Sequence, residues 1–230
     1  MNNDPISPGA DRPAGFVRVQ GHLAAAGHPE APRWLEVSAR TCEEAAAALG
    51  VQVGQIAKSV IFRRRADDRA VLVITSGDRR VDEAKVAAAV GPIRRADADF
   101  VKASTGFTIG GVSPVAHATP PVALFDRELL RFETVWAAAG HANGVFPAQP
   151  QDLARLADAP VVDVVVAPST ASPCVNVCRM DETTGWCQGC LRTLDEIATW
   201  TLLDEPERVA VLASLEGRRQ TNTAPGRSAA

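Results

Sequence analysis

Four cysteines in the C-terminal part of the chain restrict its possible folds more than any other sequence feature. Cys174, Cys178, Cys187 and Cys190 fall within 17 residues with the spacing Cys-x3-Cys-x8-Cys-x2-Cys, whereas Cys42 stands alone. Four thiolates at this spacing can surround one zinc ion at about 2.3 Å per Zn–S contact, and thiolates also suit iron–sulfur clusters. A segment of about 50 residues can bury only a small hydrophobic core, so it needs a bound metal to stabilise its fold. The sequence therefore predicts a four-cysteine metal-binding module with one metal centre, zinc or iron–sulfur.

The remaining composition is that of an ordinary globular chain. Of the 230 residues, 46% are hydrophobic and 22% are charged, and the formal net charge is −3. No stretch reaches the roughly 18 apolar residues of a membrane span, and the N-terminal segment lacks the apolar core of a secretory signal. We therefore expect a cytoplasmic protein with no membrane partner and no DNA partner held by overall charge. In a reducing cytoplasm the cysteine cluster favours a metal over two disulfides.

Sequence patterns divide the chain into five segments. Residues 1–15 contain three prolines and are expected to be a disordered leader, and residues 16–166 alternate helix and strand signals. Residues 167–173, Ala-Pro-Ser-Thr-Ala-Ser-Pro, have the composition of a linker. The metal-binding module with two helices is assigned to residues 174–218, and residues 219–230 are expected to be a disordered tail.

The large segment combines β-branched apolar runs with capped helices. Strands are predicted at residues 59–63, 70–75, 122–125, 134–138 and 161–166. Helices are predicted at residues 17–25, 41–50, 82–90, 98–104 and 151–156. Strands with intervening short helices predict an α/β (α+β) domain built on a mixed β-sheet.

Three stretches of this domain place glycines and polar residues beside predicted strands. Gly54–Ser59 reads Gly-Gln-Ile-Ala-Lys-Ser, Thr105–Pro114 is a glycine-rich loop, and Trp136–Asn143 leaves another strand. Taken singly, a lysine before a strand is most often a solvated charge and paired glycines most often serve a turn. The residues by themselves indicate no more than an anion-binding loop.

Taken together, the three stretches resemble the YbaK/ProX family, whose members hydrolyse mischarged aminoacyl-tRNA. The resemblance covers about 150 residues in the family's order and includes the segment Gly77–Gly91. It implies a YbaK/ProX-like fold and a free-standing aminoacyl-tRNA deacylase, a trans-editing enzyme. The implied partner is the acceptor end of aminoacyl-tRNA, and the implied deacylation chemistry requires no cofactor.

The resemblance also implies catalytic residues. Lys58 matches the lysine that holds the terminal nucleotide of the tRNA, and an ammonium suits a phosphate. Gly110 and Gly111 match the loop that closes around the aminoacyl ester, where backbone N–H groups can approach a substrate oxygen. The sequence has no Gly-x-Ser-x-Gly nucleophile elbow, and Cys42 is expected to be a core residue. The resemblance implies that bound water, loop amides and the terminal ribose hydroxyl of the substrate carry out the hydrolysis.

Five further residues are candidates for substrate binding. Asp126 closes a predicted strand and would orient Lys58 or a ribose, or would begin a turn. His117 follows the glycine-rich loop and is a candidate general base, with a structural histidine as the alternative. The last three are Gly140, His141 and Asn143. The loop reads Gly-His-Ala-Asn where many relatives have Gly-Thr-Pro-Asn, so the amino acid specificity is left open.

Basic residues in the same domain are candidates for a face that contacts the acceptor stem. A solvated surface is the alternative, since the chain contains 24 Lys and Arg residues. The candidates are Arg63, Arg64, Arg65, Arg79, Arg80, Arg94, Arg95 and Lys102.

The cysteine module resembles a small bacterial family of unknown function that shares the signature Cys-x-Gly-Cys-x-Arg-Thr, here Cys187–Thr193. Its members are often described as predicted iron–sulfur proteins. A fully occupied four-thiolate centre has no open coordination position, so a structural role is expected. Two alternatives to a deacylase stay open: a non-catalytic module that binds aminoacyl-tRNA or a nucleotide 3′ end, and a redox or docking protein that acts through the cysteine module. The oligomeric state is not predicted.

Overall fold

The computed structural model describes residues 12–37, 39–166 and 170–222. The chain forms two compact units, Met1–Val166 and Ala167–Ala230. Residues 1–11, 167–169 and 223–230, which were assigned to the leader, the linker and the tail, lie outside the described residues. In the described part of the chain, no helix combines the length and the apolar character that crossing a bilayer requires.

A mixed sheet dominates the first unit, which confirms the predicted fold class. Its described strands follow the order β1-β7-β6-β2-β3-β5-β8, with β4 paired to β2. The pairs β2–β6, β3–β5 and β5–β8 are parallel, and the other pairs are antiparallel. In chain order the strands are β1 (Arg33–Trp34), β2 (Ile56–Arg64), β3 (Ala70–Ser76), β4 (Ile93–Arg95), β5 (Val122–Asp126), β6 (Val135–Ala138), β7 (Gly144–Ala148) and β8 (Val161–Val162).

Short helices surround this sheet, and α2 and α3 begin at the expected capping residues. Thr41 and Glu44 form a capping box at the start of α2, and Gly50 ends that helix with φ +69°. The Asp82 side chain accepts N–H groups at the start of α3. The helices are α1 (Ala14–Ala25), α2 (Cys42–Leu49), α3 (Glu83–Val90), α4 (Ala98–Thr105) and α5 (Pro150–Leu156).

The core lies on both faces of β3, whose seven residues are all buried. Leu72 and Ile74 pack on one face, and Val71 and Val73 pack on the other. The sequence of β3 is therefore almost continuously apolar. Strands that are covered on both faces have this pattern instead of an alternation of apolar and polar residues.

Strand β2 has two different partners along the edge opposite β3. β6 pairs with its first two residues, Ile56 and Ala57, and β4 pairs with Phe62, Arg63 and Arg64. Among the described residues, no strand pairs with residues 58–61 on that edge. This unpaired edge of β2 positions the candidate site.

The second unit contains two helices, α6 (Leu194–Ala198) and α7 (Glu205–Asn222). Residues 219–222, which were assigned to the tail, thus continue α7. Thr193 and Glu196 form the predicted capping box of α6. Glu196 also binds Arg218 of α7 through two short contacts of 2.7 and 2.9 Å, so the cap and the ion pair join the two helices.

Candidate functional site

A cavity of about 390 Å³ lies against the unpaired edge of β2. Residues 57–61 of this strand form one wall, and the start of α2, the end of β6 and Ile109–Gly110 complete the lining. Most lining side chains are apolar, among them Ile56, Val101 and Val145. Among the described lining residues there is no aspartate or glutamate. The polar side chains of the lining belong to Arg40, Thr41, Lys58, Ser59 and His141.

Lys58 keeps an uncompensated positive charge at this cavity. Its Nζ donates to the carbonyl oxygens of Gly77 at 3.2 Å and of Arg79 at 2.5 Å. An ammonium has three N–H donors, so these two bonds leave a third. Within the part of the chain that the structure describes, Lys58 has no carboxylate partner. A charge held by neutral carbonyl groups remains available to an anionic ligand.

An ion-pair network supports the turn that holds Lys58. Arg131 contacts Asp78 at 2.5 Å and Glu128 at 3.1 Å, and Arg79 contacts Glu128 at 2.9 Å. Burial alone would raise the pKa of Asp78, but hydrogen bonds from Ser76 and Arg131 lower that pKa below its ordinary value. The carboxylate therefore stays ionised near neutral pH and keeps the turn in place.

Lys58 also lines a second, more open groove of about 410 Å³. Arg79, Arg80 and Arg95 contribute to this groove together with Glu83. Lys58 thus borders both the apolar cavity and a basic groove.

The predicted catalytic glycines, Gly110 and Gly111, have different structural roles. The Gly111 N–H donates to the Thr108 carbonyl at 3.0 Å and closes a turn. Gly110 occupies the third position of that turn with φ +90°, as a type II turn requires. A Cβ atom on Gly111 would lie 2.7 Å from the Cα of His141. Gly110 borders the cavity. Gly111 does not, and its lack of a side chain allows two loops to pack closely.

His141 borders the cavity in a fixed orientation. Its ring stacks on Trp34 at 4.9 Å between centroids, with an interplanar angle of 18°. The His141 Nδ1 accepts a hydrogen bond from the backbone N–H of Asn143, with 3.1 Å between the two nitrogen atoms. The neutral ring then carries its proton on Nε2, which makes Nε2–H a donor. Gly140, at φ +80°, and the Asn143 side chain, which donates to the Leu35 carbonyl at 2.9 Å, hold the loop instead of lining the cavity.

Two predicted substrate-binding residues, Asp126 and His117, do not reach the cavity. Asp126 is fully buried, and its two carboxylate oxygens accept the N–H groups of Glu128 and Val164, both at 2.9 Å. Burial raises its pKa, although the two N–H groups oppose that rise. His117 Nε2 lies 2.5 Å from the Ser113 carbonyl, and burial lowers the pKa of the imidazole. Both side chains are thus engaged in hydrogen bonds to backbone groups within the fold.

Sequence reasoning missed two residues that border the cavity. Ser59 was quoted only as the end of a motif, yet its Oγ is buried without a hydrogen-bond partner. Cys42 was expected to be a core residue; it packs against the buried cluster that contains Ala45 and Ile56, as expected, and it also borders the cavity. Burial raises the pKa of its thiol. For Ser59, the only sequence signal was its position directly after the motif lysine. No sequence signal placed Cys42 at the cavity.

Most of the candidate basic residues form ion pairs. Arg63 and Arg94 share Asp68, Arg64 binds Asp67, and Arg95 lies 3.6 Å from Glu83. Hydrogen bonds from these arginines lower the pKa of Asp67 and of Asp68 to about 2. Arg65, Arg80 and Lys102 make no ion pair with any described residue. Of these three, Arg80 alone lines the basic groove.

The four clustered cysteines fit a metal centre by chemistry, but their positions do not form one. Cys187 and Cys190 are buried, whereas Cys174 and Cys178 are exposed. No group of three or more His, Cys, Asp or Glu side chains in the described ranges is placed to hold a metal ion. Two sulfur atoms nevertheless accept N–H groups, Cys174 from Asn176 and Cys190 from the Arg192 Nε, each at 3.4 Å. Such donors favour thiolate ligands.

The fold and the cavity together define an α/β protein with one partly apolar site beside an uncompensated lysine. Residues 36–156, just over half of the chain, match the family model of the aminoacyl-tRNA editing domain. The protein therefore belongs to the aminoacyl-tRNA editing domain family. Residues 172–219 match a second family, described as a protein of unknown function (DUF1289).

Similar proteins cover mainly the first unit. Uncharacterized protein YwhH of Bacillus subtilis (strain 168) is 36% identical over 121 residues, which are 52% of this chain and 76% of YwhH. A proline–tRNA ligase of Pelotomaculum thermopropionicum is 41% identical over 78 residues, 33% of this chain and 13% of the ligase. The solved structure of a proposed trans-editing enzyme for prolyl tRNA synthetase is 40% identical. It aligns with a TM-score of 0.64 and covers 68% of this chain and 99% of its own.

We predict that Asp126→Asn destabilises the protein without changing its affinity for substrate. The amide nitrogen would face one of the two backbone N–H groups, and losing a hydrogen bond to a charged acceptor costs about 2 kcal/mol. Urea denaturation measures the loss, with exposed Asp99→Asn as the control. An unchanged free energy of unfolding together with a raised KM would instead support the predicted role in substrate binding.

Proposed function

We propose that this protein hydrolyses the ester bond of mischarged aminoacyl-tRNA in trans, in the cytoplasm. Water adds to the ester carbonyl carbon and the bond to the terminal ribose oxygen breaks, which gives the free amino acid and a tRNA with its hydroxyl restored. The supporting observation is Lys58, whose uncompensated ammonium joins an apolar cavity to a basic groove. Membership of the editing-domain family supports the same reaction.

Each feature of the site has a role in this proposal. Lys58 holds a phosphate at the 3′ end of the tRNA, since an ammonium binds phosphate as a point charge. The Gly110 N–H and the His141 Nε2–H donate to oxygen atoms of the aminoacyl ester as negative charge develops there. The apolar lining without carboxylates favours a small, uncharged amino acid side chain in the cavity.

Removing the Lys58 ammonium should lower kcat/KM by about 10- to 100-fold, the range expected when a charge-assisted hydrogen bond is lost. The measurement is deacylation of a panel of mischarged tRNAs by the full chain and by Lys58→Ala. Lys85→Ala is the matched control, because Lys85 already pairs with Asp163 at 2.8 Å, on the surface.

Turnover of one or a few aminoacyl esters, lost in Lys58→Ala and kept in Lys85→Ala, would support the proposal. Full activity of Lys58→Ala would remove the assigned role of this residue. Tight binding of aminoacyl-tRNA without turnover of any ester would favour the non-catalytic binding module, a function that the absence of a nucleophile elbow from the sequence also allows.

The basic groove should contact the tRNA backbone through Arg80 more than through the arginines paired with carboxylates. Arg80→Ala is expected to reduce the slope of log K against log salt by about 1, because one fewer phosphate is neutralised. Arg63→Ala is the matched control, since Asp68 already balances its charge. Equal slopes for Arg80→Ala and the unmodified protein would exclude this contact.

We propose further that Cys174, Cys178, Cys187 and Cys190 hold one structural metal centre, zinc or iron–sulfur, in the second unit. Their thiolates would be the ligands, and the centre would supply folding energy to a unit with few large buried side chains. The buried pair and the N–H donors directed at two sulfur atoms support this assignment.

Purified protein should contain metal equivalent to one centre per chain, and Cys187→Ser should lose it. Elemental analysis and the visible spectrum measure this: a colourless zinc protein and a brown iron–sulfur protein are distinguishable. Cys42→Ser is the control, because Cys42 belongs to the first unit and should leave the metal content unchanged. A metal-free protein with a folded second unit would contradict the proposal.

A further inference from the structure

The unpaired edge of β2 presents backbone hydrogen-bonding groups to the cavity. Residues 58–61 lie between the stretch that pairs with β6 and the stretch that pairs with β4. All four of these residues line the cavity, and all four are partly exposed although the strand is buried at Ile56 and Ala57. The cavity therefore occupies the place where the next strand of the sheet would lie.

The orientation of the peptide groups follows from neighbouring hydrogen bonds. The Arg64 N–H donates to the Arg69 carbonyl on the β3 side, and the Arg65 N–H donates to the Pro92 carbonyl on the β4 side. In an antiparallel pair, residues with hydrogen-bonding groups directed at the partner alternate with residues whose groups point away. Counting back along β2, the N–H and C=O of Ser59 point away from β3 and toward the open stretch.

The Ser59 side chain gives a second, independent indication of a ligand. Its Oγ is buried and has no hydrogen-bond partner among the described residues. Buried polar atoms in native proteins nearly always have a partner, and the exceptions call for a missing ligand or a functional role. Ser59 is also one of the residues that line the cavity.

We propose that the aminoacyl group of the substrate pairs with Ser59 as an added β-strand residue would. The Ser59 C=O accepts a hydrogen bond from the α-amino group, and the Ser59 N–H donates to the ester carbonyl oxygen. One aminoacyl group carries both an N–H donor and a C=O acceptor, so it can exchange two bonds with one residue at a strand edge. This inference rests on the proposed function and adds a recognition element to it.

The pairing accounts for a feature of the cavity that the proposed function leaves unexplained. No described lining residue carries a carboxylate that could bind an α-ammonium group, and the lining includes the positive charge of Lys58. A backbone carbonyl binds the amine without bringing in a second charge. The pairing predicts that acyl esters without an α-amino group are poor substrates.

Two variants of Ser59 separate the backbone donor from the hydroxyl. Ser59→Ala removes only the hydroxyl and keeps both backbone groups, so kcat/KM should fall by less than about tenfold. Ser59→Pro removes the N–H as well and should lower it by about 100- to 1,000-fold, as the loss of one oxyanion donor does. Proline is tolerated where a strand N–H has no ladder partner, so both variants should melt within a few degrees of the unmodified protein. Equal activities of the two folded variants would overturn the proposal.

The substrate gives a test that does not depend on how the proline variant folds. Alanyl-tRNA and propionyl-tRNA, which differ only in the α-amino group, are compared with the unmodified protein, each rate divided by spontaneous hydrolysis. We expect the normalised rate to be at least about tenfold lower for propionyl-tRNA. Equal normalised rates would overturn this inference and leave the deacylase intact. If alanyl-tRNA and every other aminoacyl ester fail to react, the proposed function itself fails.

Discussion

The hydrogen bonding of β2 determines where the candidate site can form. Seven of its residues pair with β3, which is buried on both faces and anchors the strand in the core. On the other edge, β6 and β4 approach from different directions, parallel and antiparallel, and they do not meet. A sheet interrupted in this way leaves a cavity bounded by backbone, with a fixed strand on one side. The cavity is thus a consequence of strand pairing, and its position does not depend on any single side chain.

Electrostatics around the cavity follow from how the charged side chains are paired. The arginines of the β2 end, Arg63 and Arg64, are balanced by carboxylates of the following turn. Lys58 is held by carbonyl oxygens instead, so its charge is not cancelled. Screening by water weakens paired surface charges, whereas a partly buried, unpaired ammonium acts on nearby ligands more strongly. A local positive charge is therefore compatible with a chain whose net charge is −3.

The sequence was sufficient for the fold class, because β-branched runs and capping residues such as Thr41 and Asp82 are local signals. It was also sufficient to single out Lys58, Gly110 and His141, all of which line the cavity. It could not separate Gly110 from Gly111, since the difference depends on a turn hydrogen bond and on the approach of another loop.

Asp126 and Ser59 show that hydrogen-bond partners in the folded protein cannot be read from the sequence. Asp126 was predicted to bind substrate and does not reach the cavity, whereas Ser59 was not singled out and lines it. Asp126 looked like a site residue because aspartates at strand ends often are, but its partners are two backbone N–H groups, one of them distant in sequence. Ser59 was not singled out, because the feature that draws attention to it is a buried hydroxyl without a hydrogen-bond partner in the described residues. A missing partner is a property of three-dimensional packing and has no sequence signature.

The proposed pairing of the aminoacyl group with the edge of β2 has a consequence for specificity. In that pairing, backbone N–H and C=O groups would bind the amino and carbonyl groups that all aminoacyl esters share, so they would not distinguish one amino acid from another. Discrimination must then come from the volume and shape of the apolar lining, where a methylene group is worth about 1–3 kcal/mol. Residues that differ from the family pattern at the lining, such as His141 and Ala142, would tune which side chain fits while the shared recognition stays with β2.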